Sequence, residues 1–141
     1  MEKIFGIDIG GTNVKIGVVE TNGTLLDKVK YPTKEVAEDG RFVENFIEIL
    51  KKHFEIHPDI SKVGIGVPGT ISKDRRMTLE LSNIPSLNYT PFIERLEEAF
   101  PEKHFALEND ANAAALGEFC FSLNENIADS FLFITLGTGV G

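Results

Sequence analysis

Asp8-Ile9-Gly10-Gly11-Thr12-Asn13-Val14-Lys15 lies between two nearly continuous apolar runs, Ile4 to Ile9 and Val14 to Val19. Two such runs separated by glycines and a threonine predict a buried β-hairpin. At its turn the paired glycines Gly10 and Gly11 would let backbone amides approach a phosphate closely, while Thr12 adds a hydroxyl and Asp8 can hold a cation-bound water. Taken alone, the stretch could also be a plain hairpin turn with a structural aspartate. It is not a Walker A loop, because no Gly-Lys-Ser/Thr occurs in the chain.

Beyond the hairpin, Asn22-Gly23 supplies a tight turn into a third strand from Leu25 to Tyr31. Phe42, Phe46, Leu50 and Phe54, with Val43 and Ile47 beside them, recur at the spacing of a helix with one buried face. Val63 to Val67 predicts a short strand. Thr90-Pro91 reads as an N-cap followed by a first-turn proline, opening a helix that buries Phe92, Leu96, Ala99 and Phe100. Phe105 to Leu107 predicts a strand, Ala111 to Phe121 a helix and Phe131 to Leu136 a last strand. Three strands in a meander, then strands alternating with helices, predict an α/β fold: a mixed sheet, partly antiparallel and partly parallel, flanked by helices.

The chain has 141 residues and is 42% hydrophobic, enough for one domain with its own core. A net charge of -8 leaves no electrostatic footprint for nucleic acid or anionic lipid, and no stretch approaches a membrane span. Helix ends and loop amides can still hold a phosphate locally. Cys120 is the only cysteine of these residues, so no disulfide within them is expected, nor a positively charged leader with an apolar core ahead of the first strand-like run. These features predict a cytoplasmic protein, in which the Asn-x-Thr sequons at Asn22 and Asn88 are chance matches.

Three further segments carry candidate chemistry. Gly64-Ile65-Gly66-Val67-Pro68-Gly69 formally fits a dinucleotide fingerprint, but its first glycines fall inside a strand, Pro68 occupies the turn, and Thr70 to Arg76 lack helical periodicity. It reads instead as a strand ending in a Pro-Gly turn, either structural or facing a small ligand. In Glu108-Asn109-Asp110-Ala111-Asn112 a strand end meets a helix start, where ligands collect in open α/β sheets. Asp110 there could accept a proton as a general base, or Asn109 or Asp110 could simply cap the helix. Gly137-Thr138-Gly139-Val140-Gly141 follows an apolar strand with the composition of a second phosphate turn, or of a loose tail. His53, His57 and His104 are scattered and read as surface residues, and Lys51-Lys52 and Arg75-Arg76 as solvated charges.

In this order the four segments resemble the ROK family of repressors, open reading frames and kinases, within the actin-like ATPase superfamily with its ribonuclease H-like domain. The resemblance covers the whole chain. It implies a glucokinase-like transfer of the ATP γ-phosphoryl group to a hexose hydroxyl, with Mg2+ offsetting phosphate charge. Asp8, Gly10, Gly11, Thr12, Asn13 and Lys15 match the first phosphate motif, and Gly137, Thr138 and Gly139 the second. Asp110 falls at the catalytic base, and Gly69, Asn83 and Asn109 at sugar contacts. The family's zinc motif, its remaining sugar ligands and its adenine pocket belong to a second lobe, so residues 1–141 are expected to be an N-terminal lobe and any structural zinc to lie in the other one. A family repressor would carry a helix-turn-helix ahead of Asp8, for which no room is expected. A non-catalytic sugar-binding lobe is the other alternative.

With one wall of a cleft and no adenine pocket, residues 1–141 alone are expected to bind sugar weakly and not to phosphorylate it, because an in-line transfer needs both reactants held and shielded. Apolar surface around Phe131 to Leu136 is expected to drive self-association into a homo-oligomer. Sugar-dependent ADP release above a no-sugar control, from a monomer of these residues, would contradict this expectation.

Overall fold

The central strand β1 (Lys3–Ile9) pairs antiparallel with β2 (Asn13–Glu20) on one edge and parallel with β4 (Lys62–Val67) on the other. In the computed structural model, which describes residues 2–110, β3 (Leu25–Pro32) and β5 (His104–Asn109) complete a five-stranded sheet in the order β3-β2-β1-β4-β5. β3 runs antiparallel to β2 and β5 parallel to β4. Among the described residues three α-helices accompany it: α1 (Thr33–Val36), α2 (Phe42–Ile56) and α3 (Phe92–Ala99). This is the mixed α/β sheet expected from the sequence, in which the hairpin and meander give the antiparallel half and the helical crossovers the parallel half.

Period-two alternation gives the sheet two unlike faces. One carries Phe5, Ile7 and Ile9 beside Val14, Ile16 and Val18, and Val63, Ile65 and Val67, all buried. Onto it α2 lays Phe42, Val43, Phe46, Leu50 and Phe54, and α3 lays Phe92, Ile93 and Leu96. Phe46 stacks on Phe42 and on Phe92, at centroid distances of 5.6 and 5.7 Å, and so joins the two helices. The other face is nearly bare at its centre, because Gly6 pairs with Gly17 on one side and Gly64 on the other, and Gly64 pairs with Ala106. The register therefore accounts for Gly64-x-Gly66: residues two apart share a face, and these two extend a glycine band instead of forming a dinucleotide turn.

Three local expectations are corrected. Thr90 does not cap α3, since the helix begins at Phe92 and Pro91, which has no side-chain acceptor, occupies the N-cap position; the Thr90 hydroxyl donates to the Asn88 carbonyl. His53 is not a surface residue but 8% exposed on the inner face of α2, with Nε2 2.8 Å from the Tyr31 hydroxyl and the ring edge-on to Phe5. Its helical position continues the Phe46-Leu50 stripe, so the stripe takes the histidine inward and Tyr31 on β3 supplies its polar partner. Ala99, expected on the buried face of α3, is exposed. Arg75 and Arg76 are exposed, as expected of solvated charges, and each also has a partner, Arg76 in Glu97 on α3 and Arg75 in Glu108 on β5. Among the described residues no helix is long and apolar enough to cross a membrane. The expected helix from Ala111 and strand from Phe131 lie outside the described residues.

Burial holds the His53 imidazole below its ordinary pKa; Asp27 opposes this, and His57 and Lys52 reinforce it. The unfolded chain then binds a proton that the folded chain refuses. His53 should contribute full stability above about pH 6.5, the free histidine value, and lose it as the pH falls below that. The melting temperature should drop more steeply between pH 8 and 5.5 in the wild type than in His53→Gln, which cannot titrate; parallel slopes would show that His53 carries no such linkage.

Candidate active site

Parallel strands present their carboxyl ends on one side of a sheet, and ligands of open α/β folds gather there. Here β1 ends with Asp8 and Ile9, β4 runs into Pro68-Gly69, and β5 ends at Asn109 with Asp110 directly after it. The register aligns Asp8 with Lys15 on β2 and with Gly66 on β4, and Val67 with Asn109 on β5. Since directly opposed residues share a face, Asp8 and Lys15 are side-chain neighbours, while Gly66 leaves the other flank of Asp8 without a side chain.

The hairpin turn above them closes on itself, as the Gly10 amide donates to the Asn13 carbonyl at 2.9 Å. It is also braced from α1, a contact no sequence pattern signalled. The Thr33 hydroxyl donates to the Gly10 carbonyl at 2.7 Å, and the Thr33 amide to the Thr12 carbonyl at 2.9 Å. Gly11 and Thr12 stand exposed at the tip. Against Gly11 lies the side chain of Asn83, from the loop before the 3-10 turn Pro85–Leu87. Leu81 and Ile84 are fully buried on either side of that loop and hold it in place.

The Pro68-Gly69 turn is equally constrained. A Cβ on Gly69 would stand 2.2 Å from the Glu80 carbonyl oxygen, so only glycine fits. Asn109 Nδ2 donates to the Gly69 carbonyl at 2.6 Å and ties the end of β5 to this turn. Beside it, Glu108 accepts from the Asn109 amide at 2.9 Å and pairs with Arg75 at 3.2 Å. Arg75 sits at a φ of 60°, in the left-handed region. Its tight turn, where Ser72 and Asp74 accept the Arg76 amide, aims the guanidinium at β5. Short-range sequence patterns hold no trace of a bond between residues so far apart, and so the Arg75–Glu108 pair was missed.

Burial raises the Asp8 pKa above the ordinary carboxylate value; Lys15 pulls it back and the charge of Asp110 pushes it further up. The charge of Asp110, directly after β5, is thus felt at Asp8 on β1. Asp8, Gly10, Gly11, Thr12, Asn13, Lys15, Gly69, Asn83, Asn109 and Asp110 all lie along one edge of the sheet or on the loops above it. Gly137, Thr138 and Gly139 lie outside the described residues. The arrangement offers two carboxylates, one ammonium group and a turn with exposed glycine, which suits an anionic ligand beside a hydroxyl that must lose a proton.

Comparison with known proteins bears on the family and the fold. The chain is 34% identical over 140 residues to a glucokinase of Halalkalibacterium halodurans, covering 96% of this chain and 42% of that protein. It superposes with a TM-score of 0.71 on a ROK family glucokinase from Streptomyces griseus in complex with glucose and AMPPNP, at 34% identity, over 84% of this chain and 36% of that one. A ROK family transcriptional regulator, a homologue of the E. coli MLC protein, shares the fold with a TM-score of 0.73 at 17% identity, over 84% of this chain and 30% of its own. The chain thus spans about two-fifths of the length of the glucokinase it matches, and carries the actin-like fold of the ROK sugar kinases. The match to the ROK family runs from residue 4 to residue 141, and the chain belongs to that family.

Proposed function

We propose that the full-length protein transfers the γ-phosphoryl group of ATP to a hexose hydroxyl in the cytoplasm, and that residues 1–141 are its N-terminal lobe. The observation that carries this reading is the position of Asp8 at the carboxyl end of β1, opposite Lys15 on β2, and of Asp110 directly after the carboxyl end of β5. A neutral sugar could be bound without a second anion. Two carboxylates beside a glycine turn favour proton removal next to a phosphate, and so favour catalysis over a non-catalytic sugar-binding lobe or a sugar-responsive regulator.

In this reading Asp110 accepts the proton of the attacking hydroxyl as its oxygen bonds to the γ-phosphorus and the bond to ADP breaks. Asn83, Asn109 and the Gly69 turn orient the sugar; the Asn109 bond to the Gly69 carbonyl supports this role, because it fixes the side chain before any ligand arrives. Gly10, Gly11, Thr12, Asn13 and Lys15 line the phosphates, joined by Gly137, Thr138 and Gly139. Asp8 suits a magnesium ion held through water, since its oxygens are hard donors and its desolvated anion gains from a nearby cation. The ion, when bound, offsets phosphate charge.

Asp110→Asn in the full-length enzyme should lower kcat by roughly 10²- to 10⁴-fold while hexose affinity stays within about tenfold, as loss of a general base predicts. Steady-state ADP release read beside calorimetric hexose binding tests this, and wild-type turnover would remove Asp110 from the role. Asn109→Ala should instead weaken hexose binding first, by about 1 to 3 kcal/mol for a sugar hydroxyl left unpaired. An unchanged hexose affinity would take Asn109 out of the site.

A further inference from the structure

We propose that Gly11 is a positioning residue of the hexose site: the volume its missing side chain leaves is where the Asn83 amide lies, and this contact locks the phosphate turn to the sugar loop. The inference rests on the kinase reading above. Glycines are commonly required by a positive φ, and among the described residues Gly23 and Gly40 are the glycines found there. Gly11 is not, so its backbone does not demand glycine. Space does. A Cβ on Gly11 would stand 2.9 Å from Asn83 Nδ2 and 3.4 Å from Asn83 Cβ and Cγ. The neighbouring Gly10 differs, since its Cβ would meet only the carbonyl and amide of Asn13 within the same hairpin.

Neither backbone can retreat to make room. The hairpin turn is held by both bonds from Thr33. The Asn83 loop is pinned by fully buried Leu81 and Ile84, by the Leu81 amide donating to Asn88 Oδ1 at 2.7 Å, and by the Ile84 amide donating to the Leu81 carbonyl at 3.2 Å. The movable part is the amide end of Asn83. Adding a methyl to Gly11 should therefore turn the Asn83 side chain away from the place where it would meet a hexose hydroxyl. The effect of a substitution in the phosphate turn should then appear in sugar binding.

The rival account is that Gly11 is small only so that a phosphate can approach its amide. Gly11→Ala, Asn83→Ala and the double variant of the full-length protein separate the two in a double-mutant cycle. Affinities for glucose, mannose and fructose would be measured by calorimetry without nucleotide, and for AMPPNP without sugar, with thermal melts to confirm folding. Gly11→Ala should weaken binding of the preferred hexose by roughly tenfold when Asn83 is present and by less than about twofold when it is alanine. A crystal structure of Gly11→Ala should show the Asn83 side chain rotated. Equal hexose losses in both backgrounds, or a loss confined to AMPPNP, would overturn the proposal while leaving Asn83 a sugar contact. Unchanged hexose affinity in Asn83→Ala would overturn the assignment of Asn83 to the sugar site, and the proposal with it.

Discussion

The double register of β1 is the constraint on which both core and site depend. Its residues are committed to β2 on one edge and β4 on the other, so it cannot slip without breaking two ladders. A slip of one residue would also exchange its faces. Phe5, Ile7 and Ile9 would leave the core for the glycine-lined side, and Asp8 would enter the layer under α2 and α3. An ionised carboxylate buried there without a partner is strongly unfavourable. The apolar alternation that builds the core and the placement of Asp8 beside Lys15 and Gly66 are thus one requirement.

The same register explains what the sequence made legible. Strands β1, β2 and β4 are dense in branched and aromatic residues, and their alternation follows from the chain locally, so their positions and the site segments at their ends could be read without a structure. The glycines of β1, β2 and β4 were harder. Along the chain, Gly64 and Gly66 resemble a nucleotide loop; across the strands, Gly64 meets Gly6, and Gly6 meets Gly17. That distinction depends on pairing, which local sequence does not encode.

Contacts between distant residues account for the rest. His53 looks like any polar residue near a helix end until Tyr31, on a strand that comes earlier in the chain, is found against it. Arg75 is solvated, as its type suggests, yet its turn also aims it at Glu108, which is only 16% exposed and also accepts the Asn109 amide. Thr90-Pro91 fits a cap by residue type, yet the helix begins one residue later than that reading needs, with Pro91 at the N-cap position. In each case residue type narrowed the options and tertiary geometry chose among them. The candidate site follows this division: its segments were visible, while the bonds from Thr33 to Gly10 and from Asn109 to Gly69 that hold them together were not.

The electrostatics of the proposed phosphate site are also local. A net charge of -8 would repel an anionic nucleotide if it acted at long range. At physiological salt, however, exposed charges are screened beyond about 8 Å, so what lines the edge of the sheet outweighs the total. There the Asp8 carboxylate is half-buried, and its desolvation already outweighs the stabilisation it draws from Lys15. Asp110 adds to that imbalance. A desolvated carboxylate with a second acidic residue nearby gains most from a cation placed beside it, and a nucleotide that arrives with its metal brings one. Such a site can accept an anion despite an acidic protein surface, because the anion's own counter-ion relieves a strain that the folded chain sets up beforehand.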